Sequence, residues 1–519
     1  MKPNSACPFA ALLITLATVA NASFAAESNT SQSTEARFLD RQRYLWFQVP
    51  IEVSGISPQA EFIPIRQAID FGAILKTLQV RGLVDERTLR IKEARGKRDE
   101  EFPVQYSPAR QPRLQGRRFL EGTSTNASFI SEFEATNPPP ELQQKGEVCW
   151  IVRKSSEAAE ADNAKSEHKR QFRLEFGVPR SGRAVQVPFE PFNVRFFDEE
   201  GRATPNRDFG RMQIHPQWPV DGEIRLWQAR QLITAYHVGP FLNSSAPAAR
   251  AASHLRRPFF FPVHSPDGIS LTEFGKPNDP TGSHAHHYSL WIAHANVDGH
   301  DFWSERGGSI LHEQLELQED GPVFCRFIQR TRWRFGESDL LQERRQVTAY
   351  VATENFRLLD IELELMPAGA KTVTLGRTSF GLLAVRVAQS MTVFDGGGEI
   401  LNAKGDRNEQ TAHLQRAAWL DQSGPVAARQ WAGIAMLDHP SNLNHPTGWH
   451  CRNDGWAGAA FNMETPHTLE PQTTLKLRYR LVLHRQDAVK ARIGQRFAEF
   501  SAEPSIQVGA AYRPDRGAE

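Results

Sequence analysis

Cysteine is scarce in this chain, with four in 519 residues. Cys7 falls within residues 1–25, expected to be removed as a signal, which leaves Cys149, Cys325 and Cys451, an odd set that allows at most one intramolecular disulfide. Their spacing fits neither a zinc motif nor a disulfide-dense scaffold. Three buried free thiols is the plainer reading; one bridge plus one free thiol is the other. An excess of charge of one sign is also missing. Lys+Arg 61 against Asp+Glu 60 leaves a net charge of +1, so there is no electrostatic case for nucleic acid or for a membrane surface. After the N-terminus no run approaches the roughly 18 consecutive apolar residues of a spanning helix. Gly-x-Ser-x-Gly, His-Glu-x-x-His, Walker and dinucleotide motifs are absent, which removes several large enzyme classes. There is no internal repeat, glycine-rich phosphate loop or heptad seam.

What the chain does have begins with a secretory pattern: Lys2, the apolar run Ala10–Ala20, and a small-x-small site at Ser23-Phe24-Ala25. The expectation is a signal peptide over 1–25 cleaved near Ala25, a polar leader over 26–42, and an exported protein, periplasmic or extracellular. A composition rich in glycine (36), proline (33), phenylalanine (32) and tryptophan (11) predicts a turn-rich, mostly β protein. Short apolar runs at 44–53, 88–93, 147–152 and 169–178 predict strands of a first unit, with 71–84 read as a helix or a strand-turn-strand. Nine further β-like runs between about 257 and 487, with few helical windows, predict stacked antiparallel sheets. The expected domains are 43–185, 186–490 and a C-terminal tail over 491–519, polar and loosely held from Glu503.

The most telling stretch is Gly282-Ser-His-Ala-His-His-Tyr-Ser-Leu-Trp291, with His284, His286 and His287 inside four positions. Imidazole binds metals and moves protons near neutral pH. If the stretch is a strand, His284 and His286 share one face and His287 takes the other. A His-x-His pair on one face could hold a divalent metal, as at the start of a cupin site, but Leu290 and Trp291 stand where that site needs a glutamate. The other readings are general acid–base or substrate-binding work, and loop hydrogen bonding near the surface.

Other candidates each carry a plainer alternative. His264 ends the aromatic run Arg257–His264, where a strand opens into a turn. Trp291 and Trp303 flank the histidine-rich loop and suit stacking on a pyranose, against ordinary core packing. Glu343 heads a strand as a possible base or ligand, against an ion pair with Arg344 or Arg345. A second polar cluster comprises Asp438-His439-Pro440-Ser-Asn442 and Trp449-His450-Cys451-Arg452, where the planar fork of Arg452 suits a carboxylate or sugar hydroxyls. Composition suggests that these two loops converge with the histidine cluster on one cleft.

Several of these elements occur in a fixed order: RPFFFPVHSPDG, His-x-His-His-x-x-x-Leu-Trp, Asp301-Phe302-Trp303, the Leu-x-Glu-Arg element ending at Arg344, and GLLAVRVAQSM. They are followed by Ala417-Ala-Trp419-Leu-Asp421, Asp438-His439-Pro440-x-Asn442 and Trp449-His450-x-Arg452. Over about 225–487 the chain resembles the PmoA-type family, also described as a domain of unknown function and frequent in planctomycetes and other glycan-degrading bacteria. That family's usual His-Pro-His-His-Arg-Gly is His284-Ala-His-His-Tyr-Ser289 here, so its arginine is missing at 288, with any anion-binding role it carries. A particulate methane oxygenase subunit would need several membrane-spanning helices, and no apolar run here is long enough for one. The resemblance implies a galactose-mutarotase-like β-supersandwich and carbohydrate work. Residues 43–180, through Ile69-Asp70-Phe71-Gly72 and Phe102-Pro103-Val104-Gln105, resemble the β-sandwich that precedes some rhamnogalacturonan-lyase-like proteins.

The expectation is therefore an all-β protein, a supersandwich behind a smaller β-sandwich, acting on an oligo- or polysaccharide as a lyase, hydrolase or epimerase. His284, His287, His439 and Glu343 would be catalytic. His264, His286, Trp291, Trp303, Asn442, Trp449, His450 and Arg452 would bind substrate. No cofactor is required, with a divalent metal at His284/His286 as the variant reading. The alternative is a non-catalytic glycan-binding protein. Oligomeric state is not legible.

Overall fold

A computed structural model describes residues 41–514 except 96–97, 110–143, 155–168, 181–195, 198–202, 205–211, 215–221, 229–230, 241–254, 276–283, 305–306, 320 and 352. The expected signal peptide and the leader through residue 40 lie outside the described residues.

Two antiparallel sheets make the larger unit. In one, nine strands run in the order 212–214, 222–228, 231–237, 259–263, 290–294, 381–386, 456–460, 448–451, 415–416. In the other, eight run 309–319, 324–335, 338–350, 356–367, 475–485, 430–438, 419–427, 399–402. A single apolar core joins their facing sides, with Leu290, Ile292, Leu383, Val385 and Trp449 from the first sheet and Leu359, Ile361, Leu363, Tyr479 and Leu481 from the second. This is the expected all-β supersandwich.

The smaller unit is a second sandwich. Its five-stranded sheet runs 505–508, 44–54, 170–179, 85–95, 98–102, and a three-stranded sheet of 63–70, 145–152 and 104–108 packs on it. Strand Tyr44–Ser54 alternates from Phe47 onward, and its inward Phe47, Val49, Ile51 and Val53 enter this second core. The stretch 71–84 resolves into a short helix, Phe71–Thr77, whose Asp70 caps the first turn through the Ala73 N–H at 2.8 Å.

The two sandwiches meet through their outer faces, and strand Phe356–Pro367 records this in its burial. Its later residues alternate between buried and half-buried, but Phe356 to Ile361 are buried on both faces. Leu359 and Ile361 point into the supersandwich core, while Phe356 and Leu358 point outward against Phe62, Cys149 and Ile151 of the small sandwich. At the same interface Asp360 pairs with its cross-strand neighbour Arg480 at 2.6 and 2.8 Å, and Arg496 pairs with Glu61 at 2.6 Å.

The C-terminal region departs from expectation. As far as residue 514 the tail packs on the fold: helix Ile493–Phe500 wedges into the interface through Ile493 and Phe500, and strand Ser505–Val508 pairs with Tyr44–Ser54 as an edge of the small sandwich. Polarity misled the sequence reading because an edge strand exposes one face. Cys149, Cys325 and Cys451 are buried and not joined in disulfides. Among the described residues no helix is long and apolar enough to cross a membrane.

Candidate functional site

Within strands of the nine-stranded sheet, alternate residues face either the core or the outer surface. In Leu290–His294, Leu290 and Ile292 enter the core, while Trp291 and Ala293 join a separate outer cluster with Phe259, Tyr288, Trp303, Ala384 and Trp456. Hairpin 448–460 follows the same rule. Trp449, Cys451, Ala457 and Ala459 point inward, and the even positions His450, Arg452, Asp454 and Trp456 all line one cavity on the outer side. Its tight turn is closed by Arg452 N–H on Trp456 O at 3.0 Å and Gly455 N–H on Arg452 O at 3.1 Å. Gly455 there has φ +104°, and a Cβ at that position would sit 2.7 Å from Thr392.

The three histidines reach the same cavity, but not from a strand. Residues 284–286 form a turn closed by His287 N–H on His284 O at 3.0 Å, and the strand begins only at Leu290. The two-faced arrangement expected of a strand is therefore wrong. The turn gathers all three rings, with His286–His287 centroids 4.5 Å and His284–His287 5.1 Å apart. With Phe380, the hairpin residues and these histidines enclose about 260 Å³.

The cavity floor is aromatic and its polar groups are fixed from behind. His287 lies parallel to Trp291 at 5.4 Å, and His450 lies 4.2 Å from Trp456. Phe380, 41% exposed, stacks at 18° on Trp456. Buried Arg386 donates from Nη1 to His287 Nδ1 at 3.1 Å and from Nη2 to Asp454 O at 2.8 Å. Buried Arg257 donates to His286 O at 3.4 Å and lies 4.7 Å over the Tyr288 ring. His284 Nε2 stands 3.5 Å from Asp454 Oδ2. At the rim Arg452 pairs with Glu409 at 2.7 Å.

Burial, reinforced by Arg257, pushes His286 down to about 4. Burial, reinforced by the neighbouring His286 and by Arg386, holds His287 well below the usual imidazole value. Burial and His413 push His450 to about 4. These three rings are thus neutral near pH 7. Among the described residues no group of three or more His, Cys, Asp or Glu side chains is placed to hold a metal ion.

Of the residues singled out in the sequence, His284, His286, His287, His450 and Arg452 come together here. The rest do not. Glu343 is enclosed in the supersandwich interior and pairs with Arg345 at 2.6 Å, so its ion-pair reading holds and its role in the cleft does not. Trp291, Trp303 and Trp449 are buried side chains of the sheet layers and offer no face to a sugar; Trp449 also donates to Ala417 O at 2.8 Å. His439 packs edge-on to Phe500, 4.9 Å away on the interface helix, and receives Arg478 Nη1 at 3.1 Å. Asn442 ties Asp438 to the Arg478 backbone, 2.7 Å to each. His264 donates from Nδ1 to Leu232 O at 3.0 Å and is no part of the cavity lining. The 438–442 loop therefore braces the eight-stranded sheet and does not reach the cleft.

Four residues of the site escaped the sequence reading: Phe380, Arg386, Asp454 and Trp456. Arg386 had a signal, a lone cation ending the apolar run Gly381–Val385. Asp454-Gly455 is a turn dipeptide directly after Arg452, but nothing local shows that the turn doubles back beside His287.

Fold and site together define an all-β protein of two packed sandwiches with a histidine-lined cavity on the outer face of its largest sheet. Residues 207–498, more than half the chain, match DUF6807, a family of unknown function, and the chain belongs to that family. Among curated proteins none matches the chain. Solved structures similar to it include a glycosyl hydrolase family 38 protein from Enterococcus faecalis, at 8% identity over 90% of this chain and 49% of that one, TM-score 0.36. An α-mannosidase from Enterococcus faecalis V583 is similar at 7% identity over 89% and 46%, TM-score 0.35. Heparan sulfate lyase HepC from Pedobacter heparinus is similar at 9% identity over 55% and 38%, TM-score 0.27. The chain spans less than half the length of each of these.

Proposed function

We propose that this protein acts on an oligo- or polysaccharide at the cavity lined by His284, His286, His287, Phe380, His450, Arg452, Asp454 and Trp456. The convergence of neutral imidazoles with an exposed aromatic face carries the reading. A pyranose presents an apolar C–H face and a rim of hydroxyls; the Phe380–Trp456 stack suits the first, and the imidazoles, Asp454 and Arg452 suit the second. The reaction is a lyase, hydrolase or epimerase reaction, with the histidines as its acid–base groups. In the same reading the protein is exported after cleavage near Ala25, the supersandwich is a PmoA-type domain, and the small sandwich is an accessory unit like those ahead of rhamnogalacturonan lyases.

The test is mass spectrometry of a broad oligosaccharide panel, with uronate- and ketose-containing members, incubated with the protein and with His287→Ala. Products formed by the parent and lost in the variant support an enzyme. The exposed Phe380 ring favours a second reading, a glycan-binding protein without turnover. It predicts an unchanged panel, and retention on a polysaccharide column that Phe380→Ala weakens by up to about 1.5–3 kcal/mol, the apolar burial of one phenylalanine side chain. A panel neither altered nor bound would dismiss both.

A further inference from the structure

The hydrogen bonds behind His287 and His450 give the two rings opposite tautomers. Arginine has no acceptor and stays protonated in proteins, so the Arg386 guanidinium 3.1 Å from His287 Nδ1 must donate, and that nitrogen must be the unprotonated one. In a neutral ring the proton then sits on Nε2. His450 is the reverse. Its Nδ1 lies 3.2 Å from both the carbonyl oxygen of Ser379, which can only accept, and the Ser379 hydroxyl, which can accept as well as donate; a proton on Nδ1 is the one arrangement that serves both oxygens, so Nδ1 carries it and Nε2 keeps its lone pair. Among the described residues the hydrogen bonds of both rings are made at Nδ1, and both rings line the cavity.

We propose that the cavity is a carbon-acid proton-transfer site, with His450 Nε2 as the base and the His287 Nε2–H as a neutral donor to the charge that develops. The proposal rests on the carbohydrate reading above and narrows it to sugars whose C–H is acidified by an adjacent carboxylate or carbonyl. His450 Nε2 takes the proton from that carbon, and the C–H electron pair moves into the enolate. His287 donates a hydrogen bond to the enolate oxygen. The enolate then re-forms its C=O and a new C=C while the β C–O bond breaks with its electron pair. The leaving oxygen takes the proton from His450, so atoms and charge balance. Where no β leaving group exists, the proton returns to carbon.

Hydrolysis fits less well, because glycosidases ordinarily use two carboxylates across the bond and among the described residues Asp454 is the one carboxylate lining this cavity. Glu409 behind it is engaged by Arg452. Arg386 is then a positioning residue. By holding His287 Nδ1 as an acceptor it keeps the ring an N–H donor without making it imidazolium, the role a neutral imidazole plays toward a developing oxyanion.

Two measurements on the full chain test this. With histidine labelled in 15N, long-range proton–nitrogen spectra at pH 7 should show His287 protonated on Nε2 and His450 on Nδ1, each assigned by the signal lost in His287→Gln or His450→Gln. The Arg386→Met variant should release His287 into mixed tautomers and leave His450 unchanged. Matching tautomers on the two rings, or an imidazolium at either, overturn the proposal. In the second, the saccharide panel is run in deuterium oxide. Deuterium bound to carbon, or products 18 mass units lighter than hydrolysis products, are expected. His450→Gln should lower the rate about 10²–10⁴-fold, and His287→Gln about 10²-fold with binding retained. Products that gain water and carry no carbon-bound deuterium overturn the carbon-acid step while upholding the carbohydrate reading. A panel with neither binding nor change overturns that reading as well.

Discussion

Replacing Glu343 with alanine separates an ion pair from a catalytic base. The Glu343 and Arg345 side chains are both 0% exposed. The carboxylate accepts from Arg345 Nε at 2.6 Å, Trp333 Nε1 at 2.7 Å and Thr331 Oγ1 at 3.2 Å, and Arg345 also donates to Tyr236 Oη at 3.0 Å. Removing the carboxylate strands a buried guanidinium, which costs about 3–5 kcal/mol. The orphaned indole N–H adds about 1 kcal/mol or more. These effects share a partner and overlap, so the expected loss is roughly 4–6 kcal/mol, a large part of the 5–15 kcal/mol typical of a whole domain. At about 2 °C per kcal/mol in a large domain, the melting temperature should drop by roughly 8–12 °C. The double variant Glu343→Met with Arg345→Met removes both charges and should recover most of that loss. Circular dichroism melts give the stability, and saccharide turnover or binding is read in parallel at a temperature where all variants are folded. Glu343→Ala should keep the parent's activity there. A variant that melts within a degree or two of the parent and has lost activity would refute the ion-pair argument and restore Glu343 to the chemistry.

Acidification should destabilise the fold through its buried histidines. Burial holds His294 and His312 at about 4, below the unfolded value near 6.5. The unfolded chain then takes up protons first, so this stabilisation is full above about pH 6.5 and is lost as pH falls to about 4. It amounts to about 3 kcal/mol for each ring. Melting temperatures at pH 7.5 and 4.5 check it: a flat profile contradicts it, and His312→Gln should shrink the drop. Truncation after Ser501 removes strand Ser505–Val508 and bares the edge of strand Tyr44–Ser54. Light scattering should then report self-association, because an unpaired edge is a template for another strand; a truncated chain as monodisperse as the parent would count against that. Cys149, Cys325 and Cys451 should be silent to a thiol reagent in the native protein and react once it is denatured.

Much of the fold was legible because strand alternation is a local property. The inward Phe47, Val49, Ile51 and Val53 can be read from two-residue periodicity alone, and so can the all-β class. The histidine cluster was legible for a different reason: three imidazoles in four positions mark a site by their number, although it took the turn to bring all three rings together. The same local logic failed for the tryptophans. Trp291 and Trp449 have the right side chain for a sugar, but alternation puts each in a packed layer, and the sequence does not say which face of a sheet is covered. His439 and Asn442 looked free for chemistry because their partners, Phe500 and the Arg478 backbone, come from a helix and a strand far along the chain.

Sequence by itself determined strand periodicity, the histidine cluster and the placing of His450 and Arg452 on one face of their hairpin, since each needs only the geometry of a few neighbouring peptides. The tertiary structure alone decided that this hairpin lies beside the histidine turn, that Arg386 reaches His287 across 99 residues, and that Glu343 is sealed in a core. Sheet order is set by which apolar faces bury each other, and that is a property of the whole chain.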